Sequence, residues 1–168
     1  MSISQLWQPS EYQLLDFGNG RKLERFGSVI LDRPSPAAVG KRPATPSTWD
    51  QADVRIEGDN KLRKMHRPPP SDWRARFDKL TFELRLTPFG HVGLFPEHAL
   101  NWRWLSGQNG LSSDNSHAHA PRALNLFAYT GGATLDLAAS GWEVSHVDSS
   151  APSVAWARHN AQLSSLES

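Results

Sequence analysis

Gly131 and Gly132 stand side by side at the end of an apolar run, Ala123-Leu124-Asn125-Leu126-Phe127-Ala128-Tyr129-Thr130, and Asp148 follows sixteen residues after Gly132, directly behind Val147. A paired-glycine bend lets the backbone approach a ligand with no Cβ in the way. A carboxylate at the end of the next strand can accept hydrogen bonds from both hydroxyls of a ribose. The chemistry this pattern suggests is binding and orientation rather than nucleophilic attack. The chain has no cysteine, and His91, His98, His146 and His159 show no pairing with a Ser or Asp that would suggest a nucleophile and its base. His117 and His119 have an H-x-H spacing but sit in a Ser/Asn/Ala loop with no third ligand nearby, so no metal site is expected.

The elements that must position these groups can be read on either side of them. Ala123 to Phe127 is too apolar for a surface strand and too short for a helix, and reads as a parallel strand buried on both faces. Ala133 to Ala139 is small and apolar, as a helix pressed on a sheet requires, and Ser140-Gly141 ends it. Trp142 to Val147 is the second strand, with Asp148 at the carboxyl edge where open α/β sheets bind ligands. Ser149 or Ser150 caps the next helix, Pro152 occupies its first turn, and Val154, Ala155, Ala157 and Leu163 form its apolar face. A dinucleotide-dependent oxidoreductase would show the same order of elements. It would also show a G-x-G-x-x-G turn seating a pyrophosphate on the helix N-terminus, and here the third small position is Thr134 or Leu135. A phosphate-free adenosyl cofactor suits this loop better.

Each of these residues also has a plainer role. Gly131-Gly132 could be a turn alone, Asp148 a helix cap, and Tyr129 a packing residue.

Upstream, Tyr12 to Phe17 and Arg21 to Phe26 read as strands of a hairpin joined by Gly18-Asn19-Gly20, whose residues tolerate positive φ. Ser28 to Asp32 adds a short strand, and Pro34, Pro36, Pro43 and Pro46 make a loop up to Trp49. Asp53 to Glu57 is a further strand candidate, and Pro68-Pro69-Pro70 closes the stretch from Asp59 to Ser71. Lys79 to Leu86 alternates, with Leu80, Phe82, Leu84 and Leu86 on one face, and is the clearest strand of this part. Phe89 to Phe95 is a turn and continuing strand, Pro96 to Leu105 a helix with proline in its first turn, and Gly107 to Pro121 a polar linker. The expected organisation is a β-rich module over 1–95, a helix and linker over 96–121, and an α/β segment over 122–168.

Composition bounds the possibilities. At 168 residues, 38% hydrophobic, with seven Trp and seven Phe, the chain can bury a core. No apolar run approaches the roughly 20 residues needed to cross a bilayer, and Met1 to Ser10 lacks the features of a signal peptide, so a cytoplasmic protein is expected. The net charge of +1 hides an asymmetry: residues 1–79 hold 14 Lys/Arg against 10 Asp/Glu, and residues 80–168 hold 4 against 7. Lys61, Arg63, Lys64, Arg67, Arg74, Arg76 and Lys79 surround Trp73 with only Asp72 and Asp78 opposing, a density that could attract phosphate backbone or simply be a solvated face.

Leu124-Asn125-Leu126-Phe127-Ala128-Tyr129-Thr130-Gly131-Gly132-Ala133, His146-Val147-Asp148-Ser149-Ser150 and Ala155-Trp156-Ala157-Arg158-His159-Asn160 resemble the class I S-adenosylmethionine-dependent methyltransferases, in the branch that includes the large-subunit ribosomal RNA cytosine methyltransferases. Tyr12-Gln13-Leu14-Leu15-Asp16, Lys22-Leu23-Glu24-Arg25-Phe26-Gly27, Asp32-Arg33-Pro34 and Phe89-Gly90-His91-Val92-Gly93-Leu94-Phe95-Pro96-Glu97 are similar to a subgroup with a short β-rich N-terminal module. The resemblance implies an α/β fold: the N-terminal half of a Rossmann-like sheet preceded by that module. It implies S-adenosylmethionine as cofactor, Tyr129, Thr130, Gly131 and Gly132 as the first cofactor loop, and Asp148 with Ser149 at the ribose. It implies RNA as partner, without metal or membrane.

The family's later acidic position and its acceptor-orienting loop have no counterpart before Ser168, so no catalytic residue is named. A pair of parallel strands with an exposed edge is expected to leave the chain alone weakly stable or oligomeric, and inactive. The alternative is a nonenzymatic nucleic-acid-binding module using the basic 61–79 region.

Overall fold

The computed structural model describes residues 3–57, 63–87, 90–110 and 120–166. The linker histidines His117 and His119, Lys61 of the basic stretch and Phe89 lie outside the described residues. The chain forms two compact units: one of Trp7–Ala75 with Leu84–Val92, the other of Met1–Leu6, Arg76–Glu83 and Gly93–Ser168.

The first unit is β-rich. Strands β1 (Tyr12–Gly18), β2 (Arg21–Phe26), β3 (Val29–Pro34), β4 (Val54–Ile56) and β5 (Arg63–Met65) form one sheet in that order. The glycine hairpin is present, with Asn19 and Gly20 at φ 52° and 73°. The third strand runs on to Pro34, beyond the expected end at Asp32. A parallel β3–β4 pairing follows because residues 35–53 carry the chain back to the starting edge. β3 lies mid-sheet, and Val29 to Arg33 are all buried. Leu23, Ile30 and Ala52 pack together with Leu15 and Trp49 against them.

Asp32 and Glu24 are buried within this sheet, each paired with cations. Asp32 meets Arg21 Nε at 2.6 Å and Arg55 Nη1 at 3.3 Å. Glu24 meets Arg33 Nε at 2.5 Å and Lys22 Nζ at 3.1 Å, and accepts from the Tyr12 hydroxyl at 3.0 Å. Burial alone would raise the pKa of Glu24, but Arg33 and Lys22 outweigh it and hold the carboxyl below its ordinary value.

Asp16 organises the proline-rich loop. The β1–β2 register shifts between Leu14 and Asp16, and a bulge of this kind re-aims the side chain that follows it. The Asp16 carboxylate accepts from the amides of Phe17 (2.8 Å), Ala44 (3.0 Å) and Thr45 (2.9 Å), the Thr45 hydroxyl (3.2 Å) and the Trp49 indole (2.9 Å). Burial works against the charge, yet these donors hold the acid well below the usual carboxylate range.

The second unit is α/β. Strand β6 (Arg74–Phe77), whose last two residues belong here, pairs with β7 (Leu80–Glu83). The expected Lys79–Leu86 strand is therefore shorter, and β6 lies inside a stretch whose charges hid its alternation, with Ala75 and Phe77 inward and Arg74 and Arg76 outward. Helix α1 (Ile3–Leu6) is a single turn, and α2 (Ala99–Ser106) begins after a 3-10 turn over Pro96–His98, the tightening coming where the helix was expected to start. Trp102 of α2 is buried, 5.5 Å from the Phe77 ring and 5.9 Å from the Phe82 ring.

Strands β8 (Arg122–Leu126) and β9 (Glu143–Val147) pair in parallel, from Arg122 opposite Glu143 to Leu126 opposite Val147. Helix α3 (Gly132–Ala139) makes the crossover and α4 (Ala151–Leu163) follows. α4 serves as a polar cap for β7. Asn160 Oδ1 accepts from the Glu83 amide at 2.9 Å, Ser164 Oγ accepts from the Thr81 amide at 3.0 Å, and the Trp156 indole donates to Glu83 O at 3.1 Å. These side chains satisfy backbone groups along a strand that would otherwise be an open edge.

Burial on both faces, expected for the first parallel strand, is corrected by the structure. Ala123, Asn125, Val144 and His146 are half covered, whereas Leu124, Leu126 and Val147 are 62%, 54% and 47% exposed. α3 packs on one face of the pair only. Phe127 has left the strand at φ 57° and is 91% exposed.

Two predictions follow from this packing. Asp16→Ala is expected to lower stability by about 1–3 kcal/mol, because five donors lose a buried acceptor; urea unfolding at pH 7 measures it. The folded pKa of Asp16 lies below its unfolded value, so its contribution is complete above the ordinary carboxylate range and is lost as pH falls. The gap between variant and wild type should narrow below about pH 4. Gly132→Ala is expected to cost about 1–3 kcal/mol by overpacking, since a Cβ there would stand 2.3 Å from the Trp102 ring; thermal and urea melts check it.

Candidate functional site

The loop between β8 and α3 is built by backbone geometry that few sequences can adopt. The last parallel rung is Ala128 N donating to Val147 O at 3.0 Å. Tyr129 follows at φ 52°, in the left-handed region that disfavours a Cβ, and Gly131 at φ 93°. Gly131 N donates to Ala128 O, and Leu135 N to Gly131 O, closing the turn into α3. The two glycines are needed for different reasons. Gly131 supplies the left-handed turn. Gly132 has ordinary helical geometry but leaves room for the Trp102 ring, which a side chain would strike.

Asp148 supports the unusual backbone of Tyr129. Its Oδ2 accepts from the Tyr129 amide and its Oδ1 from the Ser150 amide, each at 2.8 Å. Those two amides, that of Ser150 first, hold the Asp148 carboxyl below its ordinary pKa. The acid is therefore ionised at neutral pH. Each oxygen uses one lone pair on the protein and retains another. Ser150, not Ser149, caps α4, accepting from Ser153 N at 3.3 Å. Ser149 is exposed beside the carboxylate.

Thr130 is 2% exposed and turned away from solvent. Its hydroxyl donates to Gly93 O at 2.5 Å, and its carbonyl accepts from Asn160 Nδ2 at 3.0 Å. Gly93, at φ 90°, lies against Trp156, whose ring would be 2.1 Å from an added Cβ. The Tyr129 ring is 5.4 Å from that of Phe95 and 6.5 Å from that of Trp156. Tyr129, Thr130, Gly131, Gly132, Asp148 and Ser149 thus come together in one place, Thr130 as a buried fastener. Gly93, Trp156 and Asn160 stand in the motifs that the sequence offered but were given no role in the site. The close spacing of aromatic and glycine residues around Gly93 was visible, but its connection to Thr130 depends on a contact 37 residues apart.

The chemistry here is one half-buried, ionised carboxylate, a left-handed backbone turn and aromatic faces. These groups can hold a hydroxylated ligand through the lone pairs that the carboxylate retains. Among the described residues no group of three His, Cys, Asp or Glu could hold a metal ion. No helix among them is long and apolar enough to cross a membrane.

No family model matches the chain. A curated ribosomal RNA large subunit methyltransferase K/L from Shewanella oneidensis is 40% identical over 147 residues, 84% of this chain and 18% of the relative. The chain thus spans less than a fifth of the length of the curated relatives it matches. A crystal structure of an S-adenosylmethionine-dependent methyltransferase from Agrobacterium tumefaciens superposes with TM-score 0.82 at 36% identity, over 94% of this chain and 49% of that one. A Streptococcus mutans structure assigned to the same enzyme class superposes with TM-score 0.69 over 95% of this chain and 44% of its own, and at 14% identity it bears on the fold alone. The Rossmann-like α/β arrangement that the sequence pointed to is therefore shared with solved structures of that class. By sequence and by fold, the chain is similar to S-adenosylmethionine-dependent methyltransferases of class I.

Proposed function

We propose that this chain supplies the cofactor-binding start of an S-adenosylmethionine-dependent methyltransferase acting on RNA, with residues 122–168 as the beginning of the cofactor domain. The observation that carries the reading is the Asp148 carboxylate bonded to the Tyr129 amide at 2.8 Å. That bond fixes the acid and the glycine bend as one unit, with the acid's remaining lone pairs available to ribose hydroxyls. Tyr129 and Thr130 shape the loop, Gly131 supplies its left-handed turn, Gly132 admits the Trp102 ring against it, and Ser149 would face the ribose. The cofactor supplies a sulfonium methyl group, and the protein's part is to align donor and acceptor.

An RNA substrate is supported by the ribosomal RNA relatives and by the basic residues around Trp73. A cytoplasmic location belongs to the same reading. Of the alternatives, a dinucleotide oxidoreductase lacks the phosphate-seating glycine pattern. A nonenzymatic nucleic-acid module gives no reason for the Asp148–Tyr129 bond.

Calorimetric titration of the full chain with S-adenosylhomocysteine and with NAD tests the reading. Binding of the first and not the second is expected. Asp148→Ala should weaken that binding at least about tenfold, the equivalent of about 1.4 kcal/mol. Equal binding of both ligands, or an unchanged affinity in Asp148→Ala, would contradict it.

A further inference from the structure

Phe95 and Tyr129 stand on either side of one fastener. The Thr130 hydroxyl donates to Gly93 O at 2.5 Å, Tyr129 directly precedes Thr130, and Phe95 lies just beyond Gly93 and Leu94. Each aromatic residue is fixed in turn. Phe95 O accepts from the His98 amide at 3.0 Å as the 3-10 turn begins, and the Tyr129 amide is held by Asp148 at 2.8 Å. The two ring centroids are thereby kept 5.4 Å apart, with their planes inclined at 45°.

The neighbours of these rings are buried, and the rings themselves are not. Trp156, 6.5 Å from Tyr129 and bonded through its indole to Glu83 O, is 7% exposed, and Pro96 next to Phe95 is fully enclosed. Phe95 and Tyr129 are only half-buried, so both keep aromatic surface open beside the glycine loop. Carboxylates accompany them. The ionised Asp148 is bonded to the Tyr129 amide, and Glu97 is exposed in the turn that Phe95 opens, where the His98 ring lies 5.6 Å from that of Phe95.

An aromatic face attracts a cation lying within about 6 Å of its centre. With centroids 5.4 Å apart, one cation can meet both rings at once. S-adenosylmethionine carries such a cation in its sulfonium. In methyl transfer the acceptor's lone pair forms the new bond to carbon, the electron pair of the broken bond stays on sulfur, and the S-adenosylhomocysteine left behind has a neutral sulfur.

We propose that Phe95 and Tyr129 form an aromatic seat for the sulfonium, by which the site tells the charged methyl donor from the neutral product. The inference rests on the cofactor reading above and extends it to Phe95, which the ribose-binding carboxylate and the glycine bend leave without a part. Attraction present before transfer and absent after it also favours release of the product.

Calorimetric titration of the full 168-residue chain with S-adenosylmethionine, and separately with S-adenosylhomocysteine, tests the seat. The quantity to follow is the ratio of the two dissociation constants, because lost packing weakens both ligands alike and leaves the ratio unchanged. Phe95→Leu and Tyr129→Leu are each expected to move the ratio at least about fivefold against S-adenosylmethionine, whereas Phe95→Tyr and Tyr129→Phe, which keep a ring, stay within about twofold of wild type. Equal weakening of both ligands in the leucine variants assigns the rings to packing and overturns the inference. A second measurement needs neither a variant nor an adenosyl group, and decides the matter if circular dichroism shows a leucine variant unfolded. Trimethylsulfonium added to the wild-type chain should move the NMR signals of the Phe95 and Tyr129 ring protons, and its neutral relative dimethyl sulfide should not. Ring signals unmoved by the cation, or moved equally by both probes, overturn the inference. If neither adenosyl ligand binds, the cofactor reading fails while the trimethylsulfonium titration still decides the role of the rings.

Discussion

The bond from the Tyr129 amide to the Asp148 carboxylate is the constraint on which the site depends. A tyrosine at φ 52° lies in a region that costs about 1–2 kcal/mol for a residue with a Cβ. Strain of that kind persists only where the surroundings over-determine it. Here the carboxylate answers it from one side, and the Thr130 hydroxyl and carbonyl, bonded to Gly93 O and Asn160 Nδ2, fix the next residue from the other. The loop is thus held by bonds the protein makes to itself. Preorganisation of this kind reduces the ordering that binding would otherwise require.

The β-rich unit uses a related device at larger scale. Asp16 gathers donors from a proline-rich segment that forms no strand, among them Trp49 of a 3-10 helix over Pro46–Gln51, and so replaces a missing ladder with one carboxylate. Glu24 and Asp32 are buried within the sheet only because arginines come with them. Arg21, Arg33 and Arg55 therefore contribute to the basic balance of the first half while being committed to internal partners. A charge count along the chain does not reveal this.

Much of the α/β unit was legible because its signals are local. An apolar run, two glycines, an alanine-rich stretch and an acid fall in the order that a strand, turn, helix and strand require, and the register of β8 on β9 agrees with it. The hairpin at Asn19-Gly20 was legible for the same reason. Elements whose formation depends on distant partners were harder to read. β6 is masked by Arg74 and Arg76, and only the burial of Ala75 and Phe77 makes it a strand. β7 ends at Glu83, and the side chains of α4 that satisfy its free edge at Thr81 and Glu83 lie 83 and 77 residues away, so nothing near it in the sequence announces them. The apolar character of Leu124 and Leu126 suggested two covered faces, whereas one of them is open. Within the site, Tyr129 and Asp148 could be named from spacing, but the left-handed turn that joins them could not.

Asn160 shows how narrow such requirements become. Fully enclosed, its amide receives from Glu83 N with one end and gives to Thr130 O with the other. Aspartate would set a lone pair against that carbonyl, leucine would leave both main-chain groups dry and unanswered, and glutamine is a methylene too long for the space. In a saturation library this position should behave like a lock with a single key, although it lies in an ordinary helix with no role in chemistry.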